Sequence, residues 1–132
     1  MNPKMIWANL AVSDLEQTTR FYTELGFKPN GTPSKELTSF FFGEGDFVIH
    51  FFLKEVLQTN IKSEIADSQR VMEVVFTLSA GSRDRVDDWE KEVERAGGRV
   101  ISRPEEFGEG YYGFLFADPD GHRFNVFYME GL

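Results

Sequence analysis

The chain has 132 residues, no cysteine and only two histidines. Without thiols there is no disulfide frame, no thiolate metal site and no cysteine nucleophile. Basic residues are in the minority: 14 Lys and Arg stand against 22 Asp and Glu, a formal net charge of −8. That balance argues against nucleic-acid binding and against attraction to anionic lipid, both of which rest on basic patches. No apolar run approaches the ~20 residues that span a bilayer. Near the start, Asn9 interrupts the apolar stretch before it forms a signal-peptide core. The expectation is a cytoplasmic protein with no nucleic-acid and no membrane partner. Aromatic residues, by contrast, are plentiful: fourteen Phe, four Tyr and two Trp. A single domain of this size buries about two-thirds of its unfolded surface, so its core and any cleft are expected to be ring-rich.

Met5 to Val12 alternates as a strand, with Ile6, Ala8, Leu10 and Val12 on one face and Trp7, Asn9 and Ala11 on the other. Ser13-Asp14-Leu15-Glu16 fits a capping box that opens a helix, with Ser13 as the cap. Gly26 stands where that helix needs a left-handed residue to stop. A short strand over Phe27 to Asn30 precedes two aromatic runs, Leu37 to Phe42 and Phe47 to Leu53, which read as a hairpin around Gly43-Glu44-Gly45-Asp46. Lys54 to Arg70 is polar and weakly patterned, and reads as a connection with one or two helical turns somewhere in Ile61 to Asp67.

The order then repeats. Val71 to Leu78 reads as a strand with Glu73, Val75 and Thr77 on one face and Val74, Phe76 and Leu78 on the other. Ser82 caps a helix carrying Val86, Trp89, Val93 and Ala96, stopped by Gly97-Gly98. A short strand over Arg99 to Ser102, the loop Phe107-Gly108-Glu109-Gly110 and a strand over Tyr111 to Phe116 follow. Asp118-Pro119-Asp120-Gly121 is a turn, and a strand over His122 to Met129 closes the chain. The expected architecture is α+β: one domain over residues 1–132, built of two βαβββ modules at about 5–53 and 71–129, joined by residues 54–70, with a curved sheet around a cleft and the helices outside.

The run Val12-Ser13-Asp14-Leu15 into Arg20-Phe21-Tyr22-x-x-Leu25-Gly26-Phe27, with the close Phe116-Ala117-Asp118-Pro119-Asp120-Gly121-His122, resembles the vicinal-oxygen-chelate superfamily of glyoxalases, bleomycin-resistance proteins and extradiol dioxygenases. Asn9-Leu10-x-Val12 and the ending with Tyr128-Met129 are similar to its glyoxalase-like subgroup. The resemblance implies a homodimer and, in the metal enzymes, four ligands on four strands that hold a divalent ion (Zn, Ni, Mn or Fe) against two adjacent substrate oxygens. Carried over by motif, those positions are Trp7, His50, Glu73 and Asn125.

Trp offers an N–H donor and no ligand atom, and an Asn amide oxygen is a weak neutral one. His50 and Glu73 are therefore the two metal-ligand candidates, too few for a tight site. They also serve as tentative catalytic residues, since a facing His and Glu can share a hydrogen bond and act as acid and base. His122, in the turn, is expected to be exposed. Trp7, Asn9, His50, Phe52, Glu73, Tyr111, Tyr112, Asn125 and Phe127 are expected to line a ligand-binding cleft. A ring-walled cleft with few polar groups suits a small planar organic molecule. The leading expectation is a glyoxalase/bleomycin-resistance-like binder of such a molecule, with no cofactor firmly implied and without the full family metal site. The alternative is a divalent-metal lyase or isomerase of the lactoylglutathione-lyase kind, acting through an enediolate.

Overall fold

The computed structural model describes residues 1–131. The chain forms two compact units, Met1–Ile65 and Ala66 onward. Each holds a four-stranded mixed sheet and a βαβββ-like order, an α+β architecture.

In the first unit, β1 (Trp7–Val12), β2 (Lys28–Pro29), β3 (Leu37–Phe42) and β4 (Phe47–Leu53) stand in the order β1-β4-β3-β2. β1 runs parallel to β4, and β3 antiparallel to it, with Phe42 opposite Phe47 across the hairpin. Helix α1 (Leu15–Glu24) packs on β3 and β4. Its Phe21 and Tyr22 are buried, and Tyr22 meets Phe40, Phe42 and Phe51, stacked on the last at 4.5 Å. On the same side, the Thr19 hydroxyl donates to Thr38. The helix is capped one residue later than the sequence suggests. Asp14, in extended conformation, accepts from the Gln17 amide, because the chain turns helical only at Leu15. Gly26, at φ +92°, ends it as expected.

A second helix, α2 (Lys54–Ile61), follows β4 directly, packs on β1 and β4, and buries Leu57. The sequence expectation placed any turn of helix at Ile61 to Asp67, beyond it. The usual start and stop signals are missing here: Leu53 gives no side-chain cap, and the left-handed residue at the end is Lys62 rather than glycine.

In the second unit, β5 (Val75–Ser79), β6 (Arg99–Glu106), β7 (Tyr111–Ala117) and β8 (Arg123–Met129) stand in the order β5-β8-β7-β6. Helix α3 (Arg83–Ala96) is capped by Ser82 and stopped by Gly97, as read from the sequence. Its Val86 and Val93 are buried, as are Phe114, Phe116, Phe124 and Val126 of β7 and β8, with Phe116 stacked on Phe124 at 5.2 Å. β6 is longer than expected, and its pairing with β7 carries two irregularities.

The turn between β7 and β8 is a buried polar knot. Asp118 Oδ1 accepts from the amides of Asp120 and His122. Ser68 donates its hydroxyl proton to Asp120 O at 2.6 Å, and Gln69 Nε2 donates to Pro119 O at 2.8 Å. His122, expected at the surface, is only 8% exposed, because this clasp from residues 68–69 covers the turn. Gly121 sits at φ +93°, and a Cβ there would lie 2.4 Å from Ser68 O. Gly97 has φ +98° with open space around it. Gly97→Ala should therefore cost about 1–2 kcal/mol through backbone conformation alone. Gly121→Ala should cost about 1–3 kcal/mol more, through the clash. Urea denaturation of the two variants checks this; equal losses would show that the clasp yields freely.

Candidate functional site

Strand alternation sorts each sheet into two faces. Because Phe40, Phe42 and Phe51 turn to α1, their neighbours turn away from it. Across the face of the first sheet away from α1, the register aligns three rows. Trp7, Val48, Phe41 and Lys28 form the first. Asn9, His50 and Ser39 form the second, continued by Asn30, whose amide donates to Ser39 O at 2.8 Å. Ala11, Phe52 and Leu37 form the third.

Trp7 is 50% exposed. Its ring meets His50 edge-on at 6.3 Å, and His50 meets Phe52 edge-on at 6.0 Å. The Lys28 ammonium lies 5.7 Å from the centre of the Phe41 ring. His50 Nδ1 and Ser39 Oγ are 2.7 Å apart, and Asn30 Nδ2 donates to the same Oγ at 3.1 Å. Partial burial lowers the His50 pKa below its ordinary value of 6.5, which favours the neutral ring.

Ser39 and Asn30 escaped the sequence reading. The signal was present in the hairpin: with Phe42 opposite Phe47, three steps back on each strand bring Ser39 opposite His50.

In the second unit the face away from α3 carries Val75, Thr77 and Ser79 of β5, beside Arg123, Asn125 and Phe127 of β8. Asn125 Nδ2 donates to Thr77 Oγ1 at 3.3 Å. Phe127 lies over Gly113, where a Cβ would come within 2.1 Å of its ring, and meets Phe107 at 5.4 Å. Arg123 Nη1 is buried and has no hydrogen-bond partner among the described residues. Tyr111, 42% exposed, shares this face by alternation. Tyr112 does not. It turns to α3 and donates its hydroxyl proton to Asp87 at 2.6 Å, with Arg83 over its ring at 4.9 Å. The hydrogen bond to Asp87 pushes its pKa up to about 12. Its place among the cleft residues is thereby corrected.

The strands of each unit can be counted from its helix cap, and the count moves a second assignment. In the first unit the helix cap Asp14 lies seven residues after Trp7, and Asn9 pairs with His50. In the second the cap is Ser82, and Thr77 pairs with Asn125. The cap spacing matches Asn9 with Thr77, and the pairings then match His50 with Asn125. They place Val75, not Glu73, in the position of Trp7. Glu73 is exposed and lies two residues ahead of β5, outside its ladder.

The equivalent positions are thus Trp7 and His50 in one half, Val75 and Asn125 in the other. An indole and an isopropyl group offer no lone pair to a cation, and the Asn125 amide is a weak neutral ligand. His50 is the one strong donor, and its Nδ1 already faces Ser39. Among the described residues no three His, Asp or Glu cluster so as to hold a metal ion. This donor set does not fit the family's metal centre.

Comparison with known proteins agrees with the architecture. The profile of the Glyoxalase/Bleomycin resistance protein/Dioxygenase superfamily matches residues 4–126, and the chain belongs to that superfamily. Among solved structures it is similar to a hypothetical protein, SA1046, from S. aureus, with 30% identity, TM-score 0.83, and 97% of this chain and 95% of that one covered. A glyoxalase-related enzyme from Fulvimarina pelagi shares the fold at 22% identity and TM-score 0.83, over 96% of this chain and 88% of that one. A lactoylglutathione lyase from Agrobacterium tumefaciens does so at 20% identity and TM-score 0.69, over 96% and 95%. No curated protein matches the chain. No helix among the described residues is long and apolar enough to cross a membrane.

A lowered His50 pKa gives a signed pH dependence. The unfolded chain takes up a proton on this ring near pH 6.5, while the folded chain resists until lower pH. Stability from this group is therefore complete above about pH 6.5 and falls as the pH drops through the folded value. Melting temperatures from about pH 8 down to pH 5 should fall less steeply in His50→Gln than in the parent. Parallel curves would place the acid sensitivity elsewhere.

Proposed function

We propose that this chain is a small-molecule-binding member of its superfamily, taking a planar organic molecule on the aromatic face of the first sheet without a metal-centred reaction. One observation carries the reading: Trp7, an indole left half exposed, stands in a row of rings with His50 and Phe52 on a face turned away from the covering helix. Exposed apolar surface of this kind is stabilised by cover, and a flat ring system supplies it by stacking. Asn9 and His50 add polar groups that orient a ligand. The lyase reading loses two ligand positions to Trp7 and Val75, and Glu73 has no place in the β5 ladder.

The protein has two Trp residues, and the other, Trp89, lies on α3. In Trp89→Phe, 2-naphthoate should change the remaining emission, and the signal should vanish when Trp7→Phe is added. Tyr112→Phe should leave binding as it is. An emission unmoved by 2-naphthoate and its neutral and cationic analogues would sink the small-molecule reading.

Metal response separates the two functions. Added Zn²⁺, Ni²⁺ or Mn²⁺ should raise the melting temperature little, since a ligand stabilises in proportion to its affinity for the folded state. A large rise with one metal, lost in His50→Gln, would restore the lyase.

A cytoplasmic homodimer completes the reading. Ile6, just before β1, and Val74 and Val75, at the start of β5, are exposed apolar residues beside strands that stand at sheet edges. Such edges are generally covered. Sedimentation at micromolar concentration should show a dimer, and a monomer there would remove this part.

A further inference from the structure

The middle row of the first sheet is polar from edge to edge, between two rows that are mostly apolar. Within it, the Ser39 side chain is buried, with the residue 6% exposed, so its hydroxyl has no water to turn to. Its oxygen accepts from Asn30 Nδ2 at 3.1 Å and lies 2.7 Å from His50 Nδ1, which is within reach of its own proton. A ring nitrogen that accepts carries no proton, so in the neutral imidazole the proton sits on Nε2.

We infer that the line Asn30–Ser39–His50 fixes His50 as the Nε2–H tautomer and makes this face a site for planar molecules bearing a carboxylate, whose oxygen accepts from Nε2–H while the ring lies against Trp7 and Phe52. This rests on the small-molecule reading and names its ligand class. Burial supports it by keeping the ring neutral near pH 7, so that the direction of the line is kept. Lys28, at the far end of the neighbouring row, adds a cation on the same face. The chain's net charge of −8 opposes an anion at long range. That field is screened beyond about 8 Å at physiological ionic strength, so the local donor and cation decide.

The tautomer is tested without any ligand. The chain has two histidines, so a long-range ¹H–¹⁵N correlation spectrum at about pH 8, where the neutral form prevails, is simple to read, with His50→Gln assigning the signals. His50 should carry its proton on Nε2. Asn30→Asp should move it to Nδ1: a carboxylate there accepts the Ser39 proton, and Ser39 must then accept from the ring. A parent with the proton on Nδ1, or a variant with no change, overturns the line.

The ligand class is tested in Trp89→Phe with 2-naphthoate against 2-naphthylmethylammonium, which has the same rings and a donor cation. Naphthoate should bind about ten-fold tighter. Ser39→Ala should weaken it about three- to ten-fold, the loss of one hydrogen bond's orientation, and leave the ammonium unchanged. Equal binding of the two probes, or an equal loss of both in Ser39→Ala, overturns the carboxylate assignment while the small-molecule reading stands. Silence of Trp7 to both probes fails that reading and the assignment with it.

Discussion

Tyr22 of α1 lies stacked on Phe51 at 4.5 Å, with Phe40, Phe42 and Phe27 around it. Burial of these rings contributes on the order of 2–3 kcal/mol each, far more than any polar contact on the other face. It therefore fixes which side of β4 is inward. Strand side chains alternate with a period of two, so Phe51 inward means His50 and Phe52 outward. A slip of one residue would bury the imidazole under α1 and expose the phenylalanine. The outward row on the far face is in this sense a consequence of the core packing.

The two units show how one ladder supports different surfaces. In each, the first and last strands of the module run parallel, at matching register, and a helix covers one face. On the other face His50 is matched by Asn125 and Trp7 by Val75. Ser39, opposite His50, is matched by Leu115, opposite Asn125. The first half thus gains a hydrogen-bonded line from Asn30, just past β2, through Ser39 of β3 to His50 of β4. The second has a single long contact from Asn125 to Thr77, with Phe127 laid over Gly113. The outward residues of the first half are groups suited to hydrogen bonding and stacking. The backbone frame repeats while the outward residues differ between the halves.

Most of the frame is determined by the sequence alone. Alternation in Trp7 to Val12, the aromatic runs around Gly43 to Asp46, the Ser82 cap and the glycines at 26 and 97 each act over a few residues, and their physics is local. Outward placement of Trp7, Asn9, His50 and Asn125 follows from the same period of two. Tertiary structure decided what depends on distant partners. α2 forms where it can pack on β1 and β4 and bury Leu57, with no cap to announce it. His122 is buried because residues 68–69 fold over its turn, some fifty positions away in the chain. Tyr112 shares the α3 face with Phe114 and Phe116 by alternation, but the meeting of its hydroxyl with Asp87 is set by how the helix packs. Val75 displaces Glu73 because the ladder with β8 begins two residues after it. Ser39 meets His50 only once two strands are zipped. A strand's own alternation names the face of a residue; its neighbours across the sheet are set by register, which belongs to the folded chain.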